Sequence, residues 1–380
     1  MNVLILGSGQ LARMMALAGV PLGIEVRAVD VSNHKVVNPI DKQVLNIHLE
    51  TAIEAADAIS VEFEHIPEAL LEQVNRSGKL MPSIEAIAAG ADRVKEKALL
   101  DKLNIANCPY VIVDNVDQLD QAVETLGEKL IIKSSRDGYD GYGQWRLSSK
   151  DQLPEIKQAL AELDLKKVPL VVEKMLNFER EVSLVGARGK NGQLALYPLV
   201  ENLHHQGQLH TCVAPAPAIT SVLTAQAKDI FSALANELNY IGVLAVEFFQ
   251  MGDTLLVNEI APRVHNSGHW SMQGADTCQF ENHLRAICEL PLGSTEVIAS
   301  SVMLNVIGCD LPSRELLAVP RTHLHGYMKT PRAKRKMGHI NITASNYAEL
   351  GAKMQKIQKW LPDSYFPTLN SEAERLLQIK

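Results

Sequence analysis

Residues 244–260 read LAVEFFQMGDTLLVNEI, two apolar runs that each carry one acidic residue and flank the turn Met251-Gly252-Asp253-Thr254. The pattern predicts an antiparallel hairpin with strands over 244–249 and 255–260. Glu247 and Glu259 stand equally far from Asp253, so a register centred there sets them opposite one another. Cβ atoms so paired lie about 5 Å apart, and two anions that close between apolar neighbours repel unless a divalent cation neutralises them. Mg2+ suits such a pair, because it takes a few carboxylates and completes its shell with phosphate oxygens, here those of a nucleoside triphosphate. The plainer alternative is an edge strand with one carboxylate turned to water.

The apolar run Leu130-Ile131-Ile132 ends in Lys133, a poor place for a lysine unless it meets an anion. Just beyond lies Asp137-Gly138-Tyr139-Asp140-Gly141-Tyr142-Gly143-Gln144, whose glycines let the backbone approach a polyphosphate. It lacks the Gly-Lys-Ser/Thr of a Walker loop, and a bare glycine-rich hairpin is the alternative. Val171 to Leu176 reads as a buried strand running into backbone able to bond an adenine edge. Glu181 is a candidate acceptor for ribose hydroxyls, although spacing singles out neither role.

Residues 1 to about 96 alternate strand and helix: strands at Val3 to Leu6, Glu25 to Asp30 and Ala58 to Phe63, a helix at Gln10 to Ala18. This predicts a parallel, doubly wound sheet. Gly7, Gly9 and Ala12 form Gly-x-Gly-x-x-Ala at a strand-to-helix turn, and Asp30 ends the next strand, as in a dinucleotide site. The same pattern serves any phosphate, or a turn that merely needs glycine. A helix from Ser83 to Leu103 follows, broken at Cys108-Pro109, after which short strands and two helical stretches read as mixed α+β. A last segment from about Pro291 has its own turns and strands. Three units are expected, over 1–96, 97–291 and 292–380.

With 380 residues, 46% of them hydrophobic and 21% charged, the chain is expected to fold throughout as a soluble protein. A net charge of -7 argues against a nucleic-acid partner. The run Arg332, Lys334, Arg335, Lys336 is nonetheless locally basic, and suits either a phosphorylated small molecule or a solvated loop. Five scattered cysteines without a Cys-x-x-Cys pair suggest neither disulfides nor a zinc knot, and fit reduced thiols in a cytoplasm. No signal peptide or bilayer-spanning stretch is read, so no membrane partner is expected. The pairs His204/His205, His265/His269 and His323/His325 are discounted as zinc ligands, since Ser267-Gly268 argues for a loop where helical spacing would be needed.

The ordered set Gly7-Ser8-Gly9-Gln10-Leu11-Ala12-Arg13-Met14, Asp92-Arg93, Gly138 to Gln144, Glu247, Asn258-Glu259 and Ala261-Pro262-Arg263-Val264-His265-Asn266-Ser267-Gly268-His269-Trp270 resembles the 5-(carboxyamino)imidazole ribonucleotide synthases, from Met1 to about Ile342. The resemblance implies an ATP-grasp fold of α/β and α+β parts: an N-terminal Rossmann-like parallel-sheet domain, a central ATP-grasp domain and a small C-terminal domain, commonly as a homodimer. It implies ATP contacts from Arg93, Lys133, Gly138, Tyr139, Asp140, Gly141, Tyr142, Gly143, Gln144, Glu173, Lys174, Met175, Leu176, Glu181, His204, Asn258 and Glu259, with Mg2+ on Glu247 and Glu259. The second substrate, 5-aminoimidazole ribonucleotide, is implied to meet Gly9, Gln10, Glu64, Tyr139, Asp140, Asn266, Lys329 and Arg335. Lys133 and Arg263 are implied to neutralise charge as bicarbonate attacks the γ-phosphate to give carboxyphosphate, under a lid formed by 138–144. Tyr142 stands where related sequences carry Arg or Lys, and Glu259-Ile260-Ala261-Pro262-Arg263 lacks the asparagine of the wider Glu-x-Asn-x-Arg pattern. Two rivals are a formate-using glycinamide ribonucleotide transformylase of the same fold and a dinucleotide-binding module. The second leaves Glu247 and Glu259 unexplained.

Overall fold

The computed structural model describes residues 1–136 and 143–379. Val3 to Leu6 are buried on both faces, as a parallel sheet covered on both sides requires. Strand β1 (Asn2–Leu6) pairs in parallel with β2 (Glu25–Asp30) and β4 (Ala58–Val61). The edge strand β3 (Lys35–Val37) runs antiparallel to β2, giving the order β3-β2-β1-β4. The three expected strands are parallel, and the added edge strand β3 is antiparallel. The chain reverses within residues 31–34, where His34 adopts φ 59°, and a parallel return would need a crossover that this connection is too short to supply.

The helix Gln10–Gly19 buries Leu11, Ala12, Met14, Met15 and Ala16 in one core with Phe280 and Leu284 of the helix Gln279–Ile287. That contact seats the N-terminal unit on the rest of the chain. His283 fastens it: Nδ1 accepts the Val243 N–H at 3.0 Å, so Nε2 carries the proton and donates to Ser60 Oγ at 2.9 Å.

The single helix expected over Ser83 to Leu103 is two, Ile84–Ala91 and Arg93–Lys102. Asp92 divides them, its carboxylate accepting the Val94 N–H at 3.0 Å and Arg136 Nε at 2.9 Å. An aspartate that bonds nearby backbone competes with the helix ladder and belongs at a cap. The expected boundary at 96 and 97 falls inside the second of these helices.

Beyond it, β5 (Tyr110–Val113), β6 (Leu130–Ser134), β7 (Gln144–Leu147) and β8 (Leu170–Lys174) form an antiparallel sheet of order β5-β8-β6-β7. A larger sheet contains β9 (Arg180–Arg188), β10 (Leu194–Leu196), β11 (Val200–His205), β12 (Gln208–Ala214), β13 (Gly242–Met251) and β14 (Thr254–Ala261). It continues through β15 (Ser300–Ile307), β16 (Thr322–Gly326) and β17 (Lys336–Ala344) in the order β14-β13-β9-β11-β12-β15-β17-β16, with β10 on β9. The segment after 291 therefore extends the central sheet, because β15 pairs directly with β12. All five cysteines are free thiols, and among the described residues no helix is long and apolar enough to cross a membrane.

Gly7 sits at φ +117°, where an added Cβ would lie 2.6 Å from the Cβ of Glu62. Gly7→Ala is expected to lower the unfolding free energy by about 1–3 kcal/mol, read as a lower urea midpoint. A midpoint equal to wild type would contradict this.

Candidate active site

The hairpin of β13 and β14 closes through a two-residue Gly252-Asp253 turn, with Met251 paired to Thr254 and Gly252 at φ +60°. Its centre falls between Gly252 and Asp253, earlier than the register centred on Asp253. The pairing runs unbroken to Phe248 opposite Val257, and continued without change it would set Glu247 opposite Asn258. A bulge absorbs Asn258 and brings Glu259 opposite Glu247. The two acids are opposed, by a device that spacing did not reveal.

Glu247 is held well above the usual carboxylate range, at about 7, by burial, partly offset by His204 and reinforced by Glu259 and Glu181. Ligand-type atoms of Glu181, His204 and Glu247 lie within 4.8 Å of one another, with His204 Nδ1 at 3.1 Å from Glu181 Oε2. His204 is the member of the adjacent histidine pairs that joins a group of three metal-type donors among the described residues. Glu259 is half exposed and leans toward Arg93, with 3.6 Å between Oε2 and the guanidinium. Opposed carboxylates beside a third are the hard oxygen donors that a small divalent cation takes, so the residues fit Mg2+.

Lys133 reaches inward from β6 to Glu173 Oε2 at 2.6 Å, and Lys97 meets the other oxygen at 2.7 Å. Burial alone would raise the Glu173 pKa; the two ammonium groups instead hold it at about 2. Lys133 Nζ also lies 3.4 Å from Asn258 Oδ1. The Glu173 carboxylate is therefore committed to lysines, and Lys174, Met175 and Leu176 line the cleft beside it. Beside them Phe178 stacks on Phe249 at 4.4 Å between centroids. Lys97 escaped the sequence reading, although its position four residues after Arg93 puts both cations on one helix face. Glu96, also unread, is buried and accepts the Ile260 N–H at 2.6 Å; burial first, then Glu259, lift its pKa to about 8.

Arg263 Nε lies 2.7 Å from Glu64 Oε1, an ion pair that joins the N-terminal unit to the Ala261 to Trp270 segment. A hydrogen-bond chain enters that segment from β11 and β9: Asn202 Nδ2 donates to Ser183 Oγ at 2.9 Å, Ser183 to Ser267 Oγ at 2.8 Å, and the Ser267 hydroxyl to His265 Nδ1 at 2.8 Å, a nitrogen that also accepts the Ser267 N–H at 3.3 Å. His265 Nε2 thereby keeps its proton and lies 3.6 Å from Glu247 Oε1. The Asn266 amide exchanges hydrogen bonds with Asn305 at 3.1 and 2.7 Å, which anchors the loop to β15 while the residue lines the cleft.

Lys329 bonds Gln10 Oε1 across the cleft, and burial, with Arg335 beside it, pulls its pKa down to about 8. Arg335 donates to the Thr330 carbonyl at 3.1 Å and, through its own carbonyl, holds Gly308 N–H at 2.9 Å. The N-terminus of the helix Gln10–Gly19 is already filled: Glu62 accepts the N–H groups of Gly9 and Leu11, the latter at 2.9 Å. A Cβ on Gly9 would collide with Glu62 Oε1. Asp30 spends its carboxylate on Ser32 N at 3.0 Å and Oγ at 2.6 Å, and on Asn33 at 3.0 Å. The glycines make room for a carboxylate, and the dinucleotide reading loses both its phosphate seat and its ribose acid.

The cleft between the two sheets, about 1520 Å³, is lined by Gly9, Gln10, Glu64, Arg93, Lys133, Gly143, Gln144, Glu173, Lys174, Met175, Leu176, Glu181, His204, Glu247, Asn258, Glu259, Arg263, Asn266, Lys329 and Arg335. Gly138, Tyr139, Asp140, Gly141 and Tyr142 lie outside the described residues.

Residues 1–90 match the ribonucleotide synthetase preATP-grasp domain, 98–280 the ATP-grasp domain and 301–353 the phosphoribosylaminoimidazole carboxylase C-terminal domain. The chain is 50% identical to the N5-carboxyaminoimidazole ribonucleotide synthase of Vibrio cholerae serotype O1, over 99% of this chain and 100% of that one. It superposes on the crystal structure of N5-carboxyaminoimidazole ribonucleotide synthetase from Thermus thermophilus with a TM-score of 0.85 and 37% identity, covering 94% and 98% of the two chains. The synthase of Aspergillus clavatus, solved with ADP and 5-aminoimidazole ribonucleotide, gives 0.80 and 28% identity over 98% of each chain.

A carboxyl raised from its ordinary 4.5 to about 7 favours the folded state while protonated, an advantage present below 4.5 and lost as pH rises through 7. Without divalent cation, the wild-type melting temperature is expected to fall across that window relative to Glu247→Gln, and Mg2+ to remove the difference. Parallel pH profiles would contradict the burial of Glu247.

Proposed function

The chain belongs to the N5-carboxyaminoimidazole ribonucleotide synthase family, and from that membership we propose how its cleft joins a carboxyl group to the exocyclic amine of 5-aminoimidazole ribonucleotide. It is an ATP-grasp ligase of purine biosynthesis that forms a C–N bond while consuming ATP. The single observation that supports the assignment of roles is that one cleft carries a carboxylate pair with inward cations at one end and a basic loop at the other.

Arg93, Lys133 and Asn258 meet the triphosphate of ATP, Lys174 to Leu176 its adenine, and Glu181 with His204 its ribose. Glu247 and Glu259 hold Mg2+, which supplies positive charge to the phosphates. Glu173 and Lys97 keep the Lys133 ammonium in place. Bicarbonate is a weak electrophile, so its activation as carboxyphosphate, by attack on the γ-phosphate, gathers negative charge that Lys133 and Arg263 neutralise. Glu64 orients Arg263 for this. Lys329 and Arg335 take the phosphate of the ribonucleotide and Gln10 supports Lys329, so that the amine lies toward the activated carboxyl group. In keeping with the family pattern, the protein works as a homodimer in the cytoplasm.

ADP release is expected to need both bicarbonate and 5-aminoimidazole ribonucleotide for full rate. Equal or faster release with formate and glycinamide ribonucleotide would overturn the reading in favour of the transformylase rival. Lys329→Met is expected to raise KM for the ribonucleotide about ten- to a hundred-fold and leave KM for ATP unmoved. A shift confined to ATP would contradict the assignment of the basic loop.

A further inference from the structure

Gln279 opens the helix Gln279–Ile287 and is fully buried beneath the Arg263 to Trp270 segment. Two backbone groups of unambiguous polarity fix its amide. Oε1 accepts the His265 N–H at 2.8 Å, and Nε2 donates to the His265 carbonyl at 2.7 Å. The second Nε2 hydrogen meets His269 Nδ1 at 3.0 Å. Nδ1 is therefore an acceptor, and the neutral imidazole carries its proton on Nε2. Gly268 permits the approach, since a Cβ there would lie 2.5 Å from Gln279 Oε1.

The ring packs against Phe280 and His339, with centroids 5.4 and 4.9 Å away, and the backbone is pinned where the His269 carbonyl accepts Asn341 Nδ2 at 2.9 Å. Burial, with Lys336 next in weight, holds the ring well below the ordinary histidine range and so neutral. One nitrogen is spoken for by the helix, while the residue lines the cleft within the electrostatic reach of Arg263.

We infer that His269 is a fixed Nε2–H hydrogen-bond donor to an anionic oxygen of the carboxyl group being transferred, and that Gln279 is the positioning residue that sets its tautomer. The inference rests on the carboxylating reading above. An imidazole with Nδ1 engaged and Nε2 protonated has no lone pair to offer the cleft, so His269 does not take the proton that the amine loses. Its contribution is directional charge stabilisation without desolvation of a second cation beside Arg263.

Substitution separates donor from acceptor. His269→Gln places an amide N–H near the Nε2 position, whereas His269→Leu removes the donor. His269→Gln is expected to keep kcat within about ten-fold of wild type and His269→Leu to lose about 10²- to 10³-fold, with KM for ATP unmoved in both. Equal deep losses, or equal retention, would overturn the donor role. Nitrogen-15 NMR of histidine-labelled wild-type protein gives a test that needs no variant to be active. With the His269 signals identified by their absence in His269→Leu, the proton is expected on Nε2, and a proton on Nδ1 would overturn the inference. Gln279→Leu is expected to populate both tautomers and lower kcat about ten-fold; an unchanged single tautomer would remove Gln279 from the scheme. A wild-type enzyme inactive with 5-aminoimidazole ribonucleotide and bicarbonate would sink the functional reading alone, and the NMR result would still decide the tautomer.

Discussion

Two carboxylates are held face to face on neighbouring strands, and the rest of the cleft is arranged around that charge. Glu173 has two lysines, Glu64 has Arg263, and Glu201 has Arg180 at 3.1 Å. Among the described residues, Glu247 has His265 at 3.6 Å and the charges of His204 and Lys336 in its favour, with Glu259 and Glu181 adding repulsion. A buried anion without a matched cation is costly, and a divalent ion at the opposed pair would relieve that cost.

The fold supplies this arrangement by bringing three parts of the chain to one place. The small sheet contributes Lys133 and Glu173, the large sheet the acidic hairpin and the Arg263 segment, and the N-terminal unit Gln10 and Glu64. Contacts that cross between parts do double duty. Arg263 with Glu64, Lys329 with Gln10 and Ser60 with His283 each tie the N-terminal unit down, and the first two also orient cations in the cleft.

Much of this was legible in the sequence because the informative elements are apolar strands with one charged residue out of pattern. Lys133 after three aliphatic residues and the two acids of the 244–260 hairpin announce themselves in that way. What escaped depends on partners distant in the chain. The bulge at Asn258 decides which residue Glu247 faces, and a periodicity of two cannot display an inserted residue. Glu62 fills the helix N-terminus from 51 positions away from Leu11, so Gly7 and Gly9 looked like a phosphate loop. Asn266 sits in the most recognisable stretch, yet its partner Asn305 belongs to a strand that the unit boundaries had assigned elsewhere. Motif identity locates a loop; which of its side chains turn inward is set by packing.

On the proposal above, opposed Glu247 and Glu259 hold a divalent ion, and the Asn258 bulge is what opposes them. Electron paramagnetic resonance of Mn2+ titrated into the protein with ADP addresses it directly, comparing wild type with a variant lacking Asn258 whose fold is verified by circular dichroism. Wild type is expected to bind the ion tightly with nucleotide, and the folded deletion variant to lose that binding. Undiminished Mn2+ binding in the deletion variant would contradict a metal site built on that opposition.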